Sequence, residues 1–275
     1  MRVAIVNDCA FVGLTLKKEL ERRGVEVVYL PRGVSILDKI AKAFINAIKA
    51  GAMRDTIVHV NYALQDAYIL ARMGRLDVLH CHGSDVRWEI NRKFGWMVKY
   101  SLRKAKKVLY STPDLDWHIW PFRKDAEYLP NPIDLEMFKP SSGPSPPRAL
   151  YRELWYEEMP KELPKMLEEV GIELDVIRGR PYRWEDMPKV FSRYGIFIDR
   201  FTIRSFSKTC LEAMACGLAT IDFRHKDWLW DRVKFLSKEE NRRRIGGWNR
   251  AWIESNHDVR RVVDTLLRIY DDAMS

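Results

Sequence analysis

Short apolar runs alternate with amphipathic stretches from the first residues onward. Arg2 to Asn7 is apolar from Val3 to Val6 and reads as a buried strand, Asp8 to Gly13 as a turn, and Leu14 to Arg23 as a helix stopping before Gly24. Val25 to Leu30 is the next strand, so the chain opens with a βαβ unit of a doubly wound parallel sheet. Ile36 to Ala50 mixes apolar and Lys residues at helical spacing, as a surface helix does. Strands follow at Thr56 to Val60, Leu76 to Cys81 and Val108 to Ser111, with a helix through about Ala71 between the first two. In the second half, Ile172 to Ile177 and Gly195 to Asp199 read as strands around a helix from Glu185 to Tyr194, with Pro188 in its first turn. Ser237 to Gly246 and Asp258 to Ala273 are helical.

The most informative stretch is Ser205 to Phe223, SFSKTCLEAMACGLATIDF. A polar turn bearing Lys208 runs into a short helix with Leu211, Met214, Ala215 and Leu218 on one side; Gly217 ends it, and Leu218 to Phe223 reads as a buried strand. Thr209 and Glu212 fit a T-x-x-E capping box. A helix start of this kind, with free amides and the helix dipole behind it, suits a phosphate group.

Length and charge narrow the classes. The 275 residues suffice for two modest α/β domains, 47% apolar content supports a packed interior, and a formal charge of +9 suits an anionic partner. Four cysteines (Cys9, Cys81, Cys210 and Cys216) lack C-x-x-C spacing, which fits reduced thiols in the cytoplasm. MRVAIV reads as a strand and not as a signal peptide, and no apolar run reaches spanning length. The turn NDCAFVG lacks the G-x-G-x-x-G fingerprint, so a dinucleotide cofactor is disfavoured, and no cofactor is expected. KPSSGPSPP, Lys139 to Pro147, is the clearest linker in the chain.

Three further patterns carry candidate chemistry. His80 and His82 share one face of a strand, and with His59 they invite a metal reading, which their uneven spacing disfavours. Asp114 and Asp116 form a D-x-D triplet of the kind that holds a divalent ion, here better read as a loop and helix start. Trp88 to Lys107 carries seven basic residues against one Glu, interleaved with Trp88, Phe94, Trp96 and Tyr100. It reads as a half-buried helix with a solvated basic side, as an interfacial membrane helix, or as a nucleic-acid face; no DNA or RNA motif accompanies the last.

LEAMACGLATI closely resembles the donor-binding signature of GT-B glycosyltransferases, particularly the retaining enzymes of glycosyltransferase family 4. HGSD, His82 to Asp85, resembles that family's cleft histidine motif, and PNPIDLEMFKP its first-domain closing segment, with Pro132 in place of a Gly. LLRIYDDAM resembles its terminal helix. The resemblance implies two Rossmann-like domains with a cleft between them: residues 1–138, a linker at 139–147, a reduced nucleotide-sugar domain at 148–256, and a terminal helix, 257–275, packing back on the first. It also implies transfer of a sugar from a nucleotide diphosphate sugar to an acceptor hydroxyl, with retention. The acceptor would be lipid-linked or a polysaccharide, reached by a cytoplasmic protein resting on the inner face of a membrane through Trp88 to Lys107.

By the same resemblance Glu212 holds the ribose, His82 contacts the sugar or reaction centre with Asp85 in support, and Gly13 lies in the loop near the donor phosphates. Ser205, Ser207, Thr209 and Cys210 line the donor turn. The family's first Glu falls at Arg204, which has donors only and suits a diphosphate or a uronic acid carboxylate. The Gly-Arg turn and Lys that usually neutralise the diphosphate are missing; Arg152 and Lys161 do not match their spacing, so Arg178, Arg180 and above all Lys208 are the candidates. These cations would replace a metal. A non-catalytic nucleotide-sugar binder is the alternative reading.

Overall fold

The computed structural model describes residues 1–153, 158–179 and 181–274. Arg180 lies outside the described residues. The chain divides into two compact units, Met1–Pro132 with Val259–Ser275, and Ile133–Asp258.

The first unit is built on a six-stranded parallel sheet of β1 (Arg2–Val6), β2 (Glu26–Leu30), β3 (Ile57–Asn61), β4 (Val78–Cys81), β5 (Lys107–Tyr110) and β6 (Glu127–Tyr128), in the order β2-β1-β3-β4-β5-β6. Its helices are α1 (Val12–Arg22), α2 (Ile36–Ala52), α3 (Gln65–Arg72), α4 (Ser84–Arg87), α5 (Gly95–Lys104), α6 (Asp116–Ile119) and, from the far end of the chain, the helix Val259–Met274. Strand β1 shows why its sequence is apolar without a break: Val3 and Ile5 face α1 and Val259–Met274, while Ala4 and Val6 face the layer of α2, α3 and α5. The returning helix buries Val262, Val263, Leu266 and Tyr270, and the Tyr270 hydroxyl lies 2.6 Å from His59 Nδ1.

Trp88 to Lys107 is not one helix. A 3-10 turn at Glu89–Asn91 and α5 divide it, and Lys107 already belongs to β5. Gly95 marks the break, because a Cβ there would collide with the Ile90 carbonyl. Much of the basic charge has local work. Lys106 pairs with Asp77, Lys107 with Asp272, and Lys99 and Arg103 lie over the Phe122 ring.

The second unit carries a four-stranded parallel sheet of β7 (Arg148–Glu153), β8 (Glu173–Arg178), β9 (Ile196–Ile198) and β10 (Ala219–Ile221), in the order β10-β9-β7-β8. Its helices are α7 (Leu163–Glu169), α8 (Met187–Phe191), α9 (Lys208–Ala215), α10 (Leu229–Leu236) and α11 (Glu239–Asn256), which makes Val259–Met274 α12. Ala149, Ile196, Ile198 and Ile221 meet Leu163, Leu167, Val233 and Leu236 in one core. The helix expected over Glu185 to Tyr194 is shorter, a 3-10 turn at Trp184–Asp186 followed by α8.

Compactness puts the division at Pro132, ahead of Lys139 to Pro147. Ile133 bridges to Asp258, Phe138 is fully buried with its ring 5.8 Å from Trp184, and Arg242 donates to the Ser145 carbonyl through Nε and Nη2. The Pro-Ser-rich stretch is therefore a strap fastened along the second unit. Composition marks an irregular backbone, and here hydrogen bonds hold that backbone in place.

Candidate active site

Each sheet has a switch point, where the chain moves to one side after one strand and to the other after its neighbour; ligands in open α/β sheets gather at the carboxyl ends there. In the first unit the switch lies between β1 and β3. Among the described residues, four of the five non-glycine residues with positive φ cluster just beyond these strands, namely Asn7, Ala10, Phe11 and Tyr62. Backbone in that region costs about 1–3 kcal/mol per residue and persists where surrounding structure fixes it.

Gly13 sits at this point, but its amide is already used. Asp8 accepts from the N–H groups of Gly13 (2.8 Å) and Leu14 (3.1 Å) and from the Tyr29 hydroxyl (2.6 Å). The chain's own carboxylate thus occupies the amides at the start of α1. A Cβ on Gly13 would sit tightly against the side chains of Ile5, Asn61 and Asp8.

His82 is half-buried, with Nε2 2.9 Å from Asn61 Oδ1 and its ring 4.2 Å from His80. Asp85 fixes the loop through its backbone: it accepts from the N–H groups of Ala63, His82, Gly83 and Val86. Burial pushes its carboxyl up against those donors. Gly83, at φ 133°, leaves room for Arg87, which binds both carboxylate oxygens of Asp114 at 2.7 and 3.1 Å. Asp116 accepts from the Trp117 N–H. The D-x-D triplet is thereby committed to the fold. Burial holds His59 and His80 well below the usual imidazole range, His80 at about 3, and no group of metal-holding side chains occurs among the described residues.

In the second unit the switch lies between β7 and β9. After β9 the turn is braced from within: Arg200 donates to the carbonyls of Ser205 and Phe206 and to the Ser205 hydroxyl, and Asp199 accepts from the Ser207 N–H. Ser207, not Thr209, caps α9, accepting from the Cys210 N–H at 3.1 Å. The expected T-x-x-E box lies two residues past the actual cap, because the helix begins at Lys208 and Glu212 faces inward. Cys210 contributes neither a free amide nor an accessible thiol. The N–H groups of Lys208 and Thr209 have no acceptor among the described residues.

Glu212 is buried, and its Oε1 accepts from Lys208 Nζ at 2.6 Å and from Trp184 Nε1 at 2.8 Å. The candidate ribose ligand and the candidate diphosphate ligand are therefore each other's partner. Arg204 is exposed in the turn. Arg178, at the end of β8, is 80% exposed and paired with Glu153. Arg152, passed over on spacing, ends beside the helix start and donates to Thr209 Oγ1 at 2.8 Å. Its position at the end of the first strand of the unit was the signal available for it. Asn61 and Asp8, at the ends of β3 and β1, were missed for the same reason.

No protein-family model matches the sequence, and no curated protein does. Among solved structures, sucrose-phosphate synthase from Thermosynechococcus elongatus is similar over 100% of this chain and 99% of that one, with a TM-score of 0.68 and 12% identity. The catalytic domain of starch synthase IV from Arabidopsis thaliana, bound to ADP and acarbose, is similar over 99% of each chain (TM-score 0.60, 10% identity). The chain has the GT-B fold. The lipopolysaccharide outer core galactosyltransferase WaaB shares it at a TM-score of 0.51 and 12% identity, over 100% of this chain and 99% of that one. A GT-B chain carries two Rossmann-like units, and both parallel sheets described above conform to that plan.

Proposed function

We propose that the protein transfers a sugar from a nucleotide diphosphate sugar to an acceptor hydroxyl, with retention and without a metal. The observation that carries the reading is the start of α9: two N–H groups without an acceptor among the described residues, at a switch point, with Lys208 and Arg152 beside them. In the proposed reaction the bond from the anomeric carbon to the diphosphate breaks and the nucleoside diphosphate departs. The acceptor oxygen bonds to that carbon on the same face, and its proton passes to the departing phosphate. Groups aimed at charge that develops in the transition state lower the barrier most. Lys208, Arg152, Arg204 and the Lys208 and Thr209 amides have that role here, and Glu212 takes the ribose hydroxyls. Donor entry exchanges the Lys208–Glu212 contact for contacts to phosphate and ribose. The similar structures include a lipopolysaccharide galactosyltransferase and a starch synthase, and the proposed acceptor is of that kind, a lipid-linked glycan or a polysaccharide.

Melting temperatures measured against UDP, GDP and ADP and their sugars test the donor site, since a ligand of the folded state raises Tm. At least one should stabilise the protein and be turned over, and Glu212→Ala should abolish turnover. No shift across the panel would end the reading. A second reading, a nucleotide-sugar binder without turnover, is favoured by the closed Lys208–Glu212 pair and by Arg204 where the resembled pattern has a carboxylate. Binding without turnover across the panel would select it.

A further inference from the structure

Helix α2 is turned the unusual way. Its inward positions are small or polar, namely Ala43, Asn46, Ala47 and Ala50, whereas its large apolar side chains face water. Leu37 is 80% exposed, Ile48 59%, Phe44 51% and Ile40 48%, preceded by Val34 at 87% and Ile36 at 76%. A surface helix ordinarily buries such a stripe, and a contiguous exposed one marks a contact. Charge indicates what is contacted. Lys39, Lys42 and Lys49 stand on the same helix against Asp38 alone, and Arg32, Lys39 and Lys42 line a cavity of about 240 Å³ with Ile36, Ile40 and the single carboxylate of Asp66. Lys42 lies 3.4 Å from Asp38. Apolar side chains on one flank and lysines on another are the makeup of a helix that lies in a bilayer interface, its stripe among acyl chains and its cations at anionic headgroups. No helix among the described residues is long and apolar enough to cross a membrane.

We propose that α2 docks the first unit on an anionic lipid surface, with Leu37, Ile40, Phe44 and Ile48 entering the interface and Arg32, Lys39, Lys42 and Lys49 meeting the headgroups. This places the contact on α2 and not on the divided Trp88 to Lys107 segment. The proposal is independent of the donor site, which belongs to the second unit.

The full chain is co-sedimented with vesicles of phosphatidylcholine containing phosphatidylglycerol, and with phosphatidylcholine alone. Binding should require the anionic lipid and weaken with salt. Leu37→Gln/Phe44→Gln/Ile48→Gln, all at exposed positions, should reduce it by roughly tenfold or more, and Lys39→Gln/Lys49→Gln should reduce it less and flatten the salt dependence. Arg103→Gln/Lys104→Gln should bind as the parent does. The triple variant sedimenting like the parent would overturn the proposal, as would loss of binding only in the Arg103/Lys104 variant. A lipid-free dimer in analytical ultracentrifugation that the triple variant converts to monomer would also overturn it, assigning the stripe to a second copy of the chain. A far-UV circular dichroism spectrum and a cooperative thermal transition like the parent's confirm that the triple variant is folded.

Discussion

At the switch point of the six-stranded sheet, the helix start at Gly13 and Leu14 is closed by the chain's own Asp8. At the switch point of the four-stranded sheet, the start at Lys208 and Thr209 keeps two amides without an acceptor among the described residues and has Arg152 beside it. Both starts lie at a switch point, α1 after the first strand of its sheet and α9 after the third of its own, and their electrostatics are opposite. A carboxylate seated on one helix start repels a diphosphate, and cations around the other attract it. The two switch points therefore offer an anion different surroundings, and the fold alone does not say which of them would take a nucleotide.

The sharpest test concerns the buried pair at the second start. Lys208 and Glu212 side chains are 7% and 4% exposed, so Lys208→Ala strands a carboxylate and should cost about 3–5 kcal/mol in urea unfolding. Lys208→Met/Glu212→Leu should recover most of that loss. A cost under about 1 kcal/mol for the single change would mean that the pair is open in solution. Next comes Arg152→Met, which removes a charge-assisted contact of about 1.5–3 kcal/mol and should weaken nucleoside diphosphate binding by roughly 10- to 100-fold in calorimetry. Asp8→Asn should leave that affinity unchanged. If the two variants exchange outcomes, the nucleotide binds the first unit.

Asp8→Ala probes the first start by itself. It removes the acceptor for Gly13, Leu14 and Tyr29, and should lower stability by about 1–2 kcal/mol in the same unfolding measurement. A pH series adds a finer test. Burial pushes the Asp66 carboxyl up from 3.8 to about 7, against the Ala67 N–H and the Arg32 charge. The folded state holds this proton where the unfolded chain has released it. The contribution is therefore complete below about pH 4 and declines as pH rises through about 7. Asp66→Asn should flatten the melting-temperature profile across that window. The smallest effect is expected at Arg178→Gln, an exposed pair with Glu153, at under about 0.5 kcal/mol and with donor affinity unchanged.

Most strands and most helices of both units were legible, β6 and β7 excepted, because parallel strands buried on two faces are largely apolar, and that pattern survives without knowledge of neighbours. The segment Ser205 to Phe223 was legible as turn, helix and strand, and the first strand of the second unit could be placed only through its partners. Lys208 and Glu212 could be read as site residues but not as partners to each other, since four residues apart on a helix fits both contact and independence. Arg152 and Thr209 are distant in sequence, and only the pairing of β7 with β9 brings them to one edge.

What the chain determined by itself is the order of its elements, the α/β class and the chemical kinds gathered at each turn, because these follow from local periodicity and backbone preference. Which groups are already consumed was decided by tertiary structure. Asp8 on Gly13, Arg87 on Asp114, Ser207 as the cap of α9 and the outward stripe of α2 each depend on what stands opposite, and hydrogen bonding and burial are properties of pairs rather than of single residues.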